Sequence, residues 1–150
     1  MVIKTKVFGE VTIDDHKIIH FEDGIVGFPD LQDFTLMHNS EKPDAALSWL
    51  VSIQEPAFAL PVIDPLVVKA DYNPQVEEEL LKPLGECTPD NMLVLTTITV
   101  PKEIEKMTVN LKAPVIINAS ERRGCQIIIE GDEYQVRYPV YEILRKKGGD

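Results

Sequence analysis

The chain contains few cysteines and no long apolar run. Its two cysteines, Cys87 and Cys125, can form at most one disulfide, and their spacing matches neither a disulfide framework nor a metal-binding knuckle. No apolar stretch approaches the ~20 residues that a membrane-spanning helix needs. The amino-terminal segment alternates apolar and polar residues and so lacks the apolar core of a signal peptide. We therefore predict a cytoplasmic protein with reduced thiols and no membrane partner.

Positive charge is also scarce. The sequence has 15 Lys and Arg against 25 Asp and Glu, and residues 1–100 hold 6 basic and 17 acidic side chains. Nucleic-acid binding depends on Lys and Arg that neutralise phosphates, so we predict no direct contact with nucleic acid. The densest acidic groups are Glu77, Glu78 and Glu79, and Glu22 with Asp23 forms a second patch. Such a surface either only keeps the protein soluble or attracts a positively charged partner.

No residue pattern predicts a cofactor site. His16 and His20 could share one strand face with Glu22, but His16 lies beside a turn and no cysteine joins the set, so a surface role is favoured over metal binding. The glycines Gly24 and Gly27 lack the following Lys-Ser or Lys-Thr of a phosphate-binding loop. We predict that the protein binds no metal, nucleotide or other cofactor.

The sequence contains no pattern that predicts a catalytic site. Adjacent carboxylates such as Asp14 and Asp15 point to opposite faces of a strand or into solvent, whereas a hydrolase needs two that face each other across a cleft. Cys125 lies at the start of an apolar segment, which predicts a small packed side chain and not a nucleophile. We predict a protein that is not an enzyme. The alternative is a small hydrolase that uses carboxylates or Cys125 in a barrel mouth.

Short alternating segments, separated by Gly and Pro, fill most of the chain. They predict one mainly β domain over residues 1–150, a small antiparallel barrel-like fold, because the connections are too short for crossover helices. Gly131 and Asp132 are expected to form a hairpin turn. The predicted strands are Val2 to Val7, Val11 to Ile13, Lys17 to Phe21, Phe34 to Met37, Leu47 to Gln54, Phe58 to Ile63, Met92 to Val100, Thr108 to Leu111, Val115 to Asn118, Gln126 to Glu130 and Glu133 to Tyr138.

One short helix is predicted after Asn73. Asn73 is a favourable cap and Pro74 suits the first turn, while the three glutamates at 77–79 favour the positive end of the helix dipole. Pro83 or Gly85 is expected to end this helix. The segment from Val140 to Leu144 is either a last strand or a short helix.

Two further segments can be interpreted either as structure or as binding surface. Phe28 and Leu31 follow a Gly-rich bend and could be anchors for a protein partner or could plug the end of the barrel. Asn110 and Asn118 flank Pro114, which interrupts a strand because it cannot donate to the ladder. They either pin this kink through their own hydrogen bonds or border an edge that receives an incoming segment.

Three blocks of sequence resemble the FliW flagellar assembly factor family. Residues 108–118 read Thr-x-Asn-Leu-x-Ala-Pro-x-x-Ile-Asn, residues 21–29 read Phe-Glu-Asp-Gly-Ile-Val-Gly-Phe-Pro, and Ala57-Phe58-Ala59-Leu60 is followed by Asp64-Pro65. The resemblance covers nearly the whole chain. It implies a small β-rich protein that binds flagellin and the RNA-binding regulator CsrA and, by switching partners, relieves CsrA repression of flagellin synthesis. It also implies that flagellin binds through a largely helical terminal segment with an apolar face.

Overall fold

The computed structural model describes residues 2–5, 9–38, 47–74, 76, 78–86, 88 and 90–148. The strands are β1 Val2–Thr5, β2 Gly9–Thr12, β3 Ile18–Phe21, β4 Asp33–His38, β5 Leu47–Ser52, β6 Ala59–Ile63, β7 Met92–Thr99, β8 Thr108–Val109, β9 Val115–Asn118, β10 Arg123–Gln126 and β11 Tyr138–Pro139. The α-helices are α1 Pro65–Val68, α2 Glu78–Leu81 and α3 Tyr141–Gly148, and single 3₁₀ turns occur at Asp15–Lys17, Lys82–Leu84 and Ile104–Lys106.

Seven of the strands close into a barrel. Their order is β7-β6-β5-β4-β3-β10-β9, and β9 pairs back onto β7. Every neighbouring pair is antiparallel except β10 with β3, which is parallel. Strands β8 and β11 extend the sheet from the far end of β7, and β1 with β2 forms a separate two-stranded sheet. The predicted mainly β, antiparallel barrel is confirmed.

Aromatic and aliphatic side chains fill the barrel. Phe21 and Phe34 meet edge to face with ring centroids 5.3 Å apart, and both are fully buried, as is Leu50. Strand β10 passes directly over the Phe21 ring at Gly124, where a Cβ would lie 2.5 Å from the ring carbon Cζ. Only glycine lets the two strands approach this closely, so Gly124 allows the parallel pair that closes the barrel.

Two outer layers complete the core. On one side, the β1–β2 sheet places Ile3 against Val51 of β5, together with the half-buried Trp49. On the other side, α1, the 82–84 turn and the chain after β10 cover the outward face of β7 and β9. The second layer is the larger one, and the segments that form its rim also form the candidate site described below.

The predicted hairpin around Gly131 and Asp132 is wrong. Strand β10 lies earlier than predicted, at Arg123–Gln126, and the only strand in the region 133–139 is Tyr138–Pro139. Residues 131–137 do not return along β10; they cross to the end of β8, where Leu111 donates its N–H to the Gln135 carbonyl at 2.9 Å. Burial of Tyr134 in the outer layer stabilises this crossing, which local turn propensity could not predict.

The predicted helix start at Pro74 is also wrong. Pro74 and Val76 are not helical, and α2 is limited to Glu78–Leu81, followed by the 3₁₀ turn at Lys82–Leu84. Asn73 has no helix to cap at Pro74, and its backbone N–H donates to the Tyr134 hydroxyl at 3.0 Å. The chain turns away at Gly85, which has a φ of 84°. In place of one short helix, the described residues form three, and the carboxyl-terminal segment forms a helix, α3, and not a strand.

A buried pair of tyrosines holds the outer layer together. The Tyr72 and Tyr134 rings lie 4.7 Å apart, and the Tyr72 hydroxyl donates to the Leu111 carbonyl at 2.6 Å. Burial, with the neighbouring Tyr134 as a smaller cause, raises the pKa of Tyr72 above its ordinary value, because a phenolate is disfavoured away from water. The neutral hydroxyl therefore links the 72–74 segment to the chain after β8.

Replacing Tyr72 with Phe is expected to lower the free energy of unfolding at neutral pH by about 1–2 kcal/mol, since the Leu111 carbonyl loses its donor. Because the folded pKa is raised, the Tyr72 contribution is complete below the unfolded pKa of about 10 and is lost as pH rises above it. Denaturant titrations across this range should show a smaller alkaline loss for Tyr72→Phe than for the unsubstituted protein. Tyr141→Phe is the control and should keep the full alkaline loss.

Candidate partner-binding groove

An open groove runs along the rim of the outer layer. One wall is the loop after β3, the other is α2 with the turn that follows it, and the floor is β10 with its continuation to residue 130. A second depression shares Leu80 and Ile128 with the first and extends it toward Glu133. We call the combined surface the acidic groove. Its lining residues are Glu22, Asp23, Gly24, Ile25, Val26, Gly27, Pro29, Val76, Leu80, Pro83, 124–130 and Glu133.

The groove exposes three large aliphatic side chains. Val26 on the loop is 52% exposed, Leu80 on α2 is 47% exposed, and Ile128 on the floor is 58% exposed. Single apolar residues on a surface are ordinary. Here three exposed aliphatic side chains from three different segments lie in one depression, which is typical of a surface that binds a partner.

Carboxylates surround this apolar centre. Glu22 and Asp23 lie at one end, and Glu130 and Glu133 lie at the other. No Lys or Arg occurs among the described residues that line the groove. A concave surface lined by charge of one sign concentrates its field, so the groove favours a ligand that combines apolar and basic groups.

Side-chain amides fix the loop wall. Gln126 accepts from the Val26 N–H at 2.9 Å and donates to the Ala113 carbonyl at 3.0 Å. Gln32 donates to the Glu22 carbonyl at 2.7 Å. These bonds tie the loop to β10 and to the segment before β9, so the wall is held in place before any partner binds.

The structure places one of the two predicted acidic patches on the groove, and the other lies next to a groove residue. Glu22 and Asp23 line one wall, and Leu80, which follows the predicted glutamates directly, lines the other. Glu79 is exposed on α2. Glu77 and the side chain of Glu78 lie outside the part of the chain that is described. Sequence spacing gave no indication that residues more than fifty positions apart would flank one surface.

The predicted anchors Phe28 and Leu31 lie on the same loop but outside the groove lining. Phe28 is 45% exposed, and its ring packs on Phe58 with centroids 4.5 Å apart. Leu31 is half-buried and packs against the barrel interior. Phe28 is therefore partly a plug and partly accessible, and the role of both residues as partner contacts stays a prediction.

The two predicted asparagines make internal hydrogen bonds. Asn118 is fully buried; its amide donates to the carbonyls of Leu84 at 2.8 Å and Glu86 at 3.1 Å, and its oxygen accepts from the Glu121 N–H at 3.1 Å. Asn110 is half-buried and accepts from the Lys112 N–H at 3.0 Å. These are the bonds that the pinned-kink interpretation expects, and direct contact of either asparagine with a partner stays a prediction.

A second apolar cleft lies on the other side of α2. Its lining includes Leu66, Tyr72, Leu81 and Met92. Val76 borders both this cleft and the far end of the acidic groove. The segment around α2 thus separates two apolar surfaces, with Leu80 on one side and Leu81 on the other.

The surroundings of Cys125 bear on the hydrolase alternative. Cys125 is half-buried in the groove floor, with its Sγ 4.0 Å from the Leu80 carbonyl, while Cys87 lies outside the described residues.

Within the described residues, no group of three His, Cys, Asp or Glu side chains is placed to hold a metal ion. No helix of that part of the chain is long and apolar enough to cross a membrane.

Comparison with known proteins decides the family. The family model described as FliW protein matches residues 2–140. The chain belongs to the FliW family. It is 47% identical to the flagellar assembly factor FliW of Lachnospira eligens, over 98% of this chain and 99% of that protein. It is 46% identical to the protein of the same name from Lachnoclostridium phytofermentans, over 98% of this chain and 95% of that one.

Solved structures agree with this assignment. A crystal structure of the flagellar assembly factor FliW superimposes with a TM-score of 0.86 at 26% sequence identity, and the match covers 93% of this chain and 96% of the other. The family resemblance predicted from the sequence is therefore confirmed, and the FliW family is described by an assembly role and not by an enzymatic one.

Sequence reasoning missed the apolar centre of the groove. Ile128 was expected to lie within a strand, and no prediction singled out Leu80 as a partner contact. The sequence carries no alternation here, because residues 127–129 are three consecutive isoleucines. Only the two-residue period of the predicted strand places Ile128 on the face opposite Ile127 and Ile129. The convergence of Val26, Leu80 and Ile128 depends on the barrel closure and could not be predicted from local patterns.

Proposed function

We propose that this FliW-family protein is a cytoplasmic flagellar assembly factor that binds flagellin and the translational regulator CsrA. Full-length similarity to FliW assembly factors, at 47% identity over 98% of the chain, is the observation that carries the proposal. The acidic groove supports it, because a surface with apolar residues inside a carboxylate rim suits protein ligands better than small substrates. In this proposal, bound flagellin displaces CsrA and bound CsrA is withheld from its messenger RNA.

The two surfaces beside α2 offer a route to such a switch. Leu80 lines the acidic groove and Leu81 lines the second cleft, so a partner that shifts α2 from one side changes the other side as well. Partners that antagonise each other must each weaken the other's affinity by the same factor, whether their sites overlap or communicate. The shared segment supports antagonism without requiring overlap.

Charge reversal at the groove entrance tests the CsrA part of the proposal. Replacing Glu22 and Asp23 with Lys is expected to slow association with CsrA about tenfold at low salt, because these carboxylates attract a positively charged partner. Stopped-flow association rates across ionic strength are the measurement. Glu103→Lys with Glu105→Lys is the control, since it makes the same change in net charge on an exposed turn outside the groove. Equal rates for the two double variants would remove the groove carboxylates from CsrA binding.

Truncation of the predicted anchors tests the flagellin part. Phe28→Ala is expected to weaken flagellin binding by about 2 kcal/mol, since an exposed aromatic that packs on a neighbouring ring is a typical interface anchor. Leu31→Ala is expected to act in the same direction. Calorimetric titration of each folded variant measures the effect, and Ile104→Ala, an exposed aliphatic residue on the distant 104–106 turn, is the control. Normal flagellin affinity in both folded loop variants would place the flagellin site elsewhere.

A further inference from the structure

The floor of the acidic groove continues as an extended segment beyond β10. The Ile127 N–H donates to the Pro114 carbonyl at 3.0 Å, and the Ile129 N–H donates to the Lys112 carbonyl at 2.7 Å. Ile127 and Ile129 are buried, whereas Ile128 and Glu130 are exposed, which is the alternation of a strand. Pro114 has no N–H with which to donate back to Ile127, so this pair shares one hydrogen bond where an ordinary antiparallel pair has two.

Within the described part of the chain, the opposite edge of this segment has no hydrogen-bonded neighbour. Backbone N–H and C=O groups of successive residues in a strand point to opposite edges. Those of Ile127 and Ile129 face residues 112–114, so those of Ile128 and Glu130 point away from them. The neighbour on that side of β10 is β3, which pairs only as far as Gly124 with Phe21 before the chain turns away at Glu22. Among the residues that the structure describes, no hydrogen bond involves the backbone of Ile128 or Glu130.

This free edge lies inside the acidic groove. Gln126, Ile128 and Glu130 line it, and the loop that carries Val26 stands opposite. An exposed strand edge is a template for an incoming chain. Here the edge combines with exposed apolar side chains and a carboxylate rim, so both the main chain and the side chains of a ligand can be recognised.

We propose that the acidic groove binds an extended segment of a partner protein by strand addition along residues 126–130. The segment alternates apolar and basic residues. Its apolar side chains contact Val26, Leu80 and Ile128, and its Lys or Arg side chains pair with the carboxylates at the two ends of the groove. Main-chain hydrogen bonds supply affinity and the alternating side chains supply specificity, as in other strand-addition complexes.

Hydrogen bonding and charge favour an extended basic segment over a helical segment and over a second copy of this chain. A helical segment has already used its own backbone groups and would leave the edge of Ile128 and Glu130 unpaired. A second copy of this chain would bring the same carboxylates to the same edge, and like charges placed opposite one another destabilise strand pairing. The inference goes beyond the proposed function, because it specifies the conformation of the bound segment and not which protein supplies it.

The test uses synthetic peptides and the intact protein. A short peptide that alternates Val and Lys is expected to bind, and the same peptide with N-methyl groups on alternate amides, along the edge that pairs, is expected to bind about tenfold more weakly or not at all, because methylation removes the pairing donors. A Val and Glu peptide of equal length is the charge control. Equal affinity for the methylated peptide, tighter binding of an amphipathic helical peptide, or self-association of the protein at this edge would each overturn the proposal.

Two substitutions separate the backbone edge from the side chain. Ile128→Pro removes the unpaired N–H and breaks no hydrogen bond of the described structure, and the extended Ile127 suits a residue before proline. It is expected to weaken the Val and Lys peptide about tenfold. Ile128→Ala keeps the N–H and should retain sensitivity to methylation of the peptide. If Ile128→Pro remains folded and binds the peptide normally, the edge is not used; if Ile128→Pro unfolds, the methylation test on Ile128→Ala decides in its place.

Discussion

Gly24→Ala is expected to lower the free energy of unfolding by about 3 kcal/mol. Gly24 has a φ of 67°, and a Cβ there would lie 2.5 Å from the Phe28 carbonyl oxygen and 2.7 Å from Pro29 Cα. The left-handed conformation costs an alanine roughly 1–2 kcal/mol, and a clash with backbone atoms adds more because those atoms cannot rotate away. The 22–31 loop, which forms one wall of the acidic groove, is therefore expected to shift or open.

Gly27→Ala is the matched control for this prediction. Gly27 lies in the same loop with a φ of 89°, and a Cβ there would meet no heavy atom within 4 Å. Gly27→Ala should lower the free energy of unfolding by only about 1 kcal/mol, the cost of holding an alanine in the left-handed conformation. Denaturant unfolding followed through the single Trp49 gives both values. Equal losses at the two positions would show that the close contact with Phe28 and Pro29 does not constrain the loop.

Asn118→Ala is expected to cost about 3 kcal/mol of unfolding free energy. The buried Asn118 side chain bonds to backbone groups of Leu84, Glu86 and Glu121, and each buried group that loses its partner costs roughly 1–3 kcal/mol. These bonds connect the end of β9 to the turn that follows α2. Loss of Asn118 is thus expected to loosen the second wall of the groove.

Asn110→Ala provides the comparison for Asn118→Ala. Asn110 accepts one hydrogen bond, from the Lys112 N–H, and is half-buried, so its replacement should cost only about 1 kcal/mol. Denaturant titration of both variants at matched conditions measures the difference. If Asn110→Ala were as destabilising as Asn118→Ala, burial of the hydrogen-bonded network would not explain the role of Asn118.

Much of the barrel could be predicted from the sequence, because period-two alternation is a local signal. Strands β3 to β7 and β9 begin and end within two residues of their predicted bounds. The failures occur where distant contacts override local preference. Burial of Tyr134 holds residues 131–137 away from a hairpin. The Tyr134 hydroxyl also accepts from the Asn73 backbone N–H, a contact between residues 61 positions apart that the local pattern around Pro74 does not contain.

The candidate site was less predictable than the fold. Sequence identified Glu22 and Asp23 as an acidic patch, and the structure places them at the groove entrance. It could not place Leu80 and Ile128 beside them, because those residues meet only after β10 pairs with β3. Family resemblance supplied the proposed partners, whereas the location of the groove and its free strand edge came from the three-dimensional arrangement.

Competition between the two proposed partners tests the central claim most directly. Purified protein is titrated calorimetrically with CsrA, first alone and then with saturating flagellin, and the reverse pair of titrations follows. Each partner is expected to bind alone, and each is expected to weaken the other by the same factor. Failure of either partner to bind the folded protein, or unchanged affinities when both are present, would contradict the proposed partner switch.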